Sequence, residues 1–209
     1  MTLNVGCIVE GRGEVQAVPE LLRRVQRELA PGLDLRIQQP WRIGRYKLVK
    51  AGELEDAVER LARQLPTPRA VLVLVDADDD CPAELGPQLV ARARQARSDV
   101  PTAVVLAKRE FEAWFLAAIE SVSGRRGLAQ TLKAASDPES IRDAKGALTR
   151  NMAGSQSYSP TRDQPALTAV FDMQLARRRS DSFDKFWREI KRLFSEASGE
   201  PVQKGAQPA

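Results

Sequence analysis

Histidine is absent from the 209-residue sequence. Without it there is no Ser-His or Cys-His nucleophile pair, no imidazole proton shuttle, and none of the imidazole ligands on which most transition-metal sites depend. Cysteine is nearly absent. Cys7 lies in an apolar run and Cys81 beside a row of aspartates, and such unlike settings point to reduced thiols rather than a disulfide framework and leave zinc without ligands. There is no charged-then-apolar leader and no apolar run near the ~20 residues that span a bilayer, so a cytoplasmic protein without a membrane partner is expected. What remains for chemistry is carboxylate and ammonium. The net charge of +4 permits an anionic partner without requiring one.

A chain of this length buries about 70% of its unfolded surface, which suffices for one main domain with an appendage. Residues 3–9, "LNVGCIV", form a short unbroken apolar run that reads as a buried strand, and 15–29 repeat apolar residues at helical spacing. Residues 33–43 alternate like an outer strand, and 53–65 form an amphipathic helix. The most apolar run, "RAVLVLVDA" at 69–77, is β-branched and does not alternate, as suits a central parallel strand covered on both faces. A helix near 82–97, a strand at 102–107 and a helix at 110–120 complete an α/β repeat with a parallel sheet flanked by helices. The expected division is a main domain over 1–120, a helical extension over 121–197 and a disordered tail over 198–209. Within the extension, Asp137–Pro138 reads as a helix start, Thr161 as a cap, and 181–197 as an amphipathic helix.

Two of the apolar strands end in knots of carboxylate, "IVEGRGE" at 8–14 and "VLVLVDADDD" at 71–80. In open α/β sheets ligands bind at the carboxyl ends of strands. Like charges 4 Å apart repel by roughly 4 kcal/mol at an effective dielectric near 20, so bringing the knots together requires a counter-charge, and a divalent metal is the most economical. Glu10 ends the first strand and Glu14 enters the next helix, so one turn can aim both at the sheet edge. Asp76 and Asp78, two apart on an extended strand, point to one side, and Asp80 repeats the spacing. All-oxygen ligands suit Mg2+ or Mn2+. Acidic residues at strand ends also solvate loops and complement helix dipoles, but two clusters on two strands favour a site. Rival motifs fail on inspection. An EF-hand reading of "DADDDCPAELGP" puts Cys81 where glycine is needed and Pro87 where a bidentate glutamate is needed, while "GRGEVQA" lacks the Lys and Ser/Thr of a phosphate-binding loop.

With "VEGRGE", "VDADDDC" and "REFEAWFLA" in place, the chain resembles the TOPRIM fold, a Rossmann-like sheet. More specifically, it resembles the small stand-alone TOPRIM-like bacterial proteins of a domain family without assigned function, related to the nuclease half of OLD proteins. The likeness covers residues 3 to about 120, and "YSPTRDQPAL" to "SDSFDKF" is similar to that family's C-terminal part. The resemblance implies that Glu10, Asp76 and Asp78 bind Mg2+ for phosphoryl transfer on nucleic acid, with Asp80 and, as in OLD-like versions, Glu14 beside them. It also implies a lysine downstream of the aspartates, for which Lys145 is preferred over Lys108. Of Glu110 and Glu112, which on a helix would face different sides, Glu112 in "EAW" is the expected ligand.

"PWRIGRYK" at 40–47 mixes Trp41 and Tyr46 with Arg42, Arg45 and Lys47, a combination that stacks bases while neutralising phosphates; "LARRRS" at 175–180 adds a basic run. The leading expectation is a Mg2+-dependent nuclease, with two metals clamping a phosphodiester of DNA or RNA, tRNA included. The alternatives are a non-catalytic nucleic-acid-binding or regulatory module and, third, a Mg2+-dependent phosphatase. OLD proteins join this nuclease type to an ATPase, which implies a separate ATPase partner in an anti-phage defence or toxin system. An apolar stripe through Phe183, Phe186, Ile190, Leu193 and Phe194 could dock such a partner, although a stripe of this kind most often packs on its own domain.

Overall fold

The computed structural model describes residues 1–198. Five strands form one parallel sheet: β1 (Thr2–Val9), β2 (Asp34–Ile37), β3 (Trp41–Arg42), β4 (Arg69–Asp76) and β5 (Thr102–Ala107). The order is β2-β1-β4-β5, with β3 pairing the last residues of β1 on the same edge as β2. The α-helices among the described residues are α1 (Glu14–Leu29), α2 (Arg45–Leu48), α3 (Glu53–Gln64), α4 (Pro82–Ala96), α5 (Ala113–Ala117), α6 (Ala144–Arg150), α7 (Pro160–Thr168), α8 (Met173–Arg179) and α9 (Asp181–Ser198).

The central strands are apolar on both sides because both sides are covered. Leu72 and Leu74 of β4 join a core with α1, α7, α8 and α9, whereas Val71, Val73 and Val75 join one with α3 and α4. The helical part beyond 120 is therefore the cover of one sheet face, sharing a core with β1, β4 and β5. The apolar stripe of α9 is buried in that core, Phe183, Phe186 and Ile190 fully. It is not a free docking surface. Phe183 packs edge-on to Trp114 and Phe171, with ring centroids 5.1 and 5.5 Å away, and Trp114 Nε1 donates to Ser182 Oγ at 2.8 Å. Phe183→Ala is expected to cost about 3–5 kcal/mol through the cavity it leaves, read as a lower urea midpoint at unchanged slope.

Some expected elements differ in extent. The strand at 33–43 is split, because Pro40 has no amide for the ladder; Gln38 N–H still reaches Val5 O at 2.9 Å, and pairing resumes at Trp41. The helix expected over 110–120 shrinks to α5 and a 3-10 turn at Ile119–Val122. Pro138–Ser140 is a single 3-10 turn, and α7 starts at Pro160 with Ser159, not Thr161, in the cap position. Apart from Ser198, which ends α9, the expected disordered tail lies outside the described residues.

Strand order reverses between β1 and β4, since β2 lies on one side of β1 and β5 on the far side of β4. That switch point leaves a crevice at the carboxyl ends of β1 and β4. Val9 pairs with Leu74, and Asp76 with Ala107, so Glu10 and Asp76 open side by side into the crevice.

Candidate active site

Glu14 sits in the first turn of α1 and folds back over the β1 turn, where its Oε2 accepts the Glu10 N–H at 3.0 Å. The two glycines of "EGRGE" are explained by close approach. A Cβ on Gly11 would meet Glu14 Oε1 at 2.9 Å, and one on Gly13 would collide with the Pro160 carbonyl and Gln164 of α7. Helix α7 thereby fixes how far α1, and Glu14 with it, enters the crevice. Glu14 is buried, and burial first, then Glu112 and Glu10, push its carboxyl up to about 7 against the amides of Gly11 and Glu10.

Asp76 ends β4, with 8% of its surface exposed. Its Oδ1 accepts the Phe111 N–H at 2.8 Å, and its Oδ2 lies 3.5 Å from Lys145 Nζ. Burial, with Glu14, Glu112 and Glu10 nearby, raises Asp76 well above the usual aspartate value, and Lys145 opposes the rise. Glu10 is raised chiefly by burial and then by Asp78, with the Asp76 and Arg45 amides offsetting part of this; its Oε2 is buried without a full hydrogen bond.

Lys145, second residue of α6, is the cation at the centre. Its Nζ is 2.9 Å from Glu110 Oε1 and 3.3 Å from Glu112 Oε2, and its own N–H donates to Glu110 Oε2 at 2.9 Å. Burial pulls the Lys145 ammonium down, but Glu112, Asp76 and Glu110 together outweigh burial and hold it charged. Glu112 is fully buried; its Oε1 accepts from Tyr158 OH at 2.9 Å, and its Oε2 has no hydrogen bond. Both Glu110 and Glu112 reach Lys145, contrary to the expectation that only one would point inward. The helical spacing behind that expectation does not apply, because α5 begins at Ala113.

Asp78 and Asp80 do not repeat the strand spacing. The strand stops at Asp76, and Asp78 takes a left-handed conformation (φ 49°) that aspartate tolerates. Both turn outward to Arg45, which lies 3.7 Å from Asp78, forms an ion pair with Asp80, and donates to the Asp76 carbonyl at 3.1 Å. Arg109 (φ 67°) closes the other side of the loop, donating to Asp78 O at 3.0 Å and Asp79 at 2.6 Å. Arg45, expected to face phosphates, is thus spent on shaping the acidic loop. Around it, Arg42 and Lys47 are exposed, Trp41 is half-buried, and Tyr46 is 62% exposed with Lys50 Nζ 5.3 Å from its ring centre. In the basic run at the end of α8, Arg177 pairs with Asp184 and Arg179 with Glu120. Lys108 touches none of the crevice carboxylates among the described residues, which leaves Lys145 as the lysine of the site.

The sequence reading missed Tyr158 and Arg109, and set Glu110 aside in favour of Glu112. Tyr158 stands in the block that resembles the family's C-terminal part, but no local pattern ties it to Glu112 46 residues away.

The crevice thus gathers Glu10, Glu14, Asp76 and Glu112, with Lys145 set against Asp76, Glu110 and Glu112. Among the described residues no group of three or more acidic, Cys or His side chains stands in a metal-holding arrangement; the ammonium of Lys145 occupies the space between Asp76, Glu110 and Glu112. The donor set nonetheless suits a hard cation: every available ligand is a carboxylate oxygen, Glu10 Oε2 is buried without a hydrogen bond, and Glu112 Oε2 has only the Lys145 ammonium at 3.3 Å.

Because Glu14 and Asp76 carry raised values when folded, the native state holds more protons than the unfolded chain between about pH 4.5 and 7, and stability falls as pH rises through that window. In chelator, the wild type should melt higher near pH 5 than near pH 7.5. Glu14→Gln should flatten that difference; an unaltered slope would remove Glu14 as its source.

The chain belongs to a family described as a domain of unknown function (DUF4276), whose model matches residues 9–191. No curated protein and no solved structure matches it. No helix among the described residues is long and apolar enough to cross a membrane.

Proposed function

We propose that this DUF4276 member is a Mg2+-dependent nuclease of TOPRIM-like fold, hydrolysing phosphodiesters of DNA or RNA at the β1–β4 crevice. One observation carries the reading: four carboxylates, each raised chiefly by burial and further by neighbouring acids, converge at a topological switch point beside Lys145. Keeping that much buried negative charge is costly unless a cation answers it, and clusters of perturbed acids mark functional sites more often than structural ones.

Glu10, Glu14 and Asp76 would hold the metal, with Glu112 behind them, oriented by Tyr158. Mn2+ is an acceptable substitute, and the number of acids accommodates two ions. A bound divalent ion supplies polarisation of the phosphoryl oxygens and acidification of water. Lys145 supplies positive charge where the transition state gathers negative charge. Asp78 and Asp80 belong to the loop that Arg45 shapes. Arg42 and Lys47, with the exposed ring of Tyr46, form the flanking surface for the nucleic-acid backbone and bases.

A second reading, a non-catalytic nucleic-acid-binding module, draws on Lys145 itself, whose ammonium already neutralises part of the cluster. The two are separated by incubating supercoiled plasmid, single-stranded DNA and tRNA with Mg2+, Mn2+ or chelator. Cleavage of at least one substrate, dependent on metal, is expected; binding with no cleavage under any condition would favour the module.

The same assay divides the basic residues. Arg42→Ala with Lys47→Ala should weaken binding and lower the salt slope by about one to two units, since each phosphate contact releases a counterion. Arg45→Ala should leave that slope unchanged and instead impair metal-dependent activity by loosening the 76–80 loop.

A further inference from the structure

Strand β5 is the free edge of the sheet. Val71 N–H bonds Pro101 O and Ala77 N–H bonds Ala107 O, so by alternation the amides and carbonyls of Thr102, Val104 and Leu106 face away from β4. The Thr102 carbonyl accepts from Arg192 at 2.8 Å. Val104 and Leu106 instead border a cavity of about 620 Å³ that α4 and α9 wall on either side. Proteins usually blunt an edge with charge, proline or a covering element, yet "TAVVLA" carries no charge and its outer face opens into this groove.

The lining differs from wall to wall. Val90 and Pro82 of α4 give an apolar side, while Asp181, Ser182 and Lys185 of α9 give a polar one. Two cations on the groove, Arg94 and Lys108, make no ion pair or side-chain hydrogen bond among the described residues. Asp181 is the one lining carboxylate in the same position, since Glu139 is bonded by Ser180 and Ser182, and Glu189 by Lys185 and Arg192.

We propose that this groove binds an extended, acidic peptide segment of a partner protein as an added strand on β5. The backbone groups of Val104 and Leu106 repeat at the two-residue interval of a strand, which another extended backbone matches in full. The apolar wall takes every second side chain, and the polar wall the ones between. The surplus of unpaired positive charge at Arg94 and Lys108 selects carboxylates. Lys108 directly follows Ala107, the partner of Asp76 in the ladder, so the peptide would lie beside the candidate active site without entering it.

The test is selection from a displayed library of random heptapeptides against the full chain, followed by fluorescence anisotropy with the best synthetic peptide. Enriched sequences should alternate apolar with polar residues and carry acids. N-methylation of alternate amides should weaken binding by about tenfold or more, as only strand pairing uses those amides. Val90→Arg, which fills the groove, should abolish binding, and Arg94→Glu with Lys108→Glu should weaken it about tenfold through lost charge complementarity. Circular dichroism melts of the variants show that they fold; a variant that does not fold is replaced by Val90→Gln. Failure to enrich any peptide, equal affinity for the N-methylated peptide, binding that survives the groove-filling change, or displacement of the peptide by single-stranded oligonucleotide would overturn the proposal. None of these readouts depends on nuclease activity.

Discussion

Asp76→Asn is expected to eliminate the proposed metal-dependent cleavage, with a loss of about a thousandfold or more, and to leave the metal-free protein at least as stable as wild type. The two halves of that result come from one fact, the burial of Asp76 among Glu14, Glu112 and Glu10, which raises its carboxyl. A carboxylate in that position is held at a cost in the absence of metal, and asparagine removes the charge while keeping an oxygen for the Phe111 amide. Alanine would confound the comparison by deleting that acceptor as well. Gel-based cleavage beside chelator melts measures both halves. A variant that cuts like wild type ends the nuclease reading, and one that is unfolded assigns Asp76 to structure alone.

Lys145→Met acts in the opposite sense on stability. It leaves the fully buried Glu112, together with Glu110 and Asp76, without the only ammonium that reaches them among the described residues. Breaking a buried pair on one side costs about 3–5 kcal/mol, and the low end applies because the Lys145 side chain is 39% exposed. Mg2+ should restore more stability to this variant than to wild type, since the ion no longer competes with an ammonium for the same oxygens, yet cleavage should stay lost. A melt in chelator and another in excess Mg2+ give the comparison. Equal stabilisation of the two proteins by Mg2+ would separate Lys145 from the metal-binding region.

The chain order of strands and helices through β5 was legible because each buried parallel strand is an unbroken apolar run, and the helices between them repeat at helical spacing. The carboxylates at the ends of β1 and β4 were legible for a related reason: charge at the end of such a run has few places to go except the sheet edge. Legibility failed where long-range contacts override local pattern. Asp78 looked like a continuation of the strand because spacing alone cannot show that Asp76 is its last residue. Arg45 looked like a phosphate contact because its partners, Asp78 and Asp80, lie more than 30 residues along the chain. Glu110 and Glu112 were read on a helix that begins only after them, the Phe111 amide having gone to Asp76 instead. Tyr158 could not be linked to Glu112 at all, since the link exists only once the helices after 120 have closed over the sheet.

The central claim is that the acids after β1 and β4 form one divalent-metal centre. Calorimetric titration of Mn2+ and Mg2+ into metal-free protein, without nucleic acid, tests it most directly, with Asp76→Asn and Glu14→Gln titrated alongside. The account predicts saturable binding to the wild type, with affinity reduced about tenfold or more in either variant because each removes a buried ligand charge. Absence of binding at millimolar metal, or binding that both substitutions leave untouched, would contradict it.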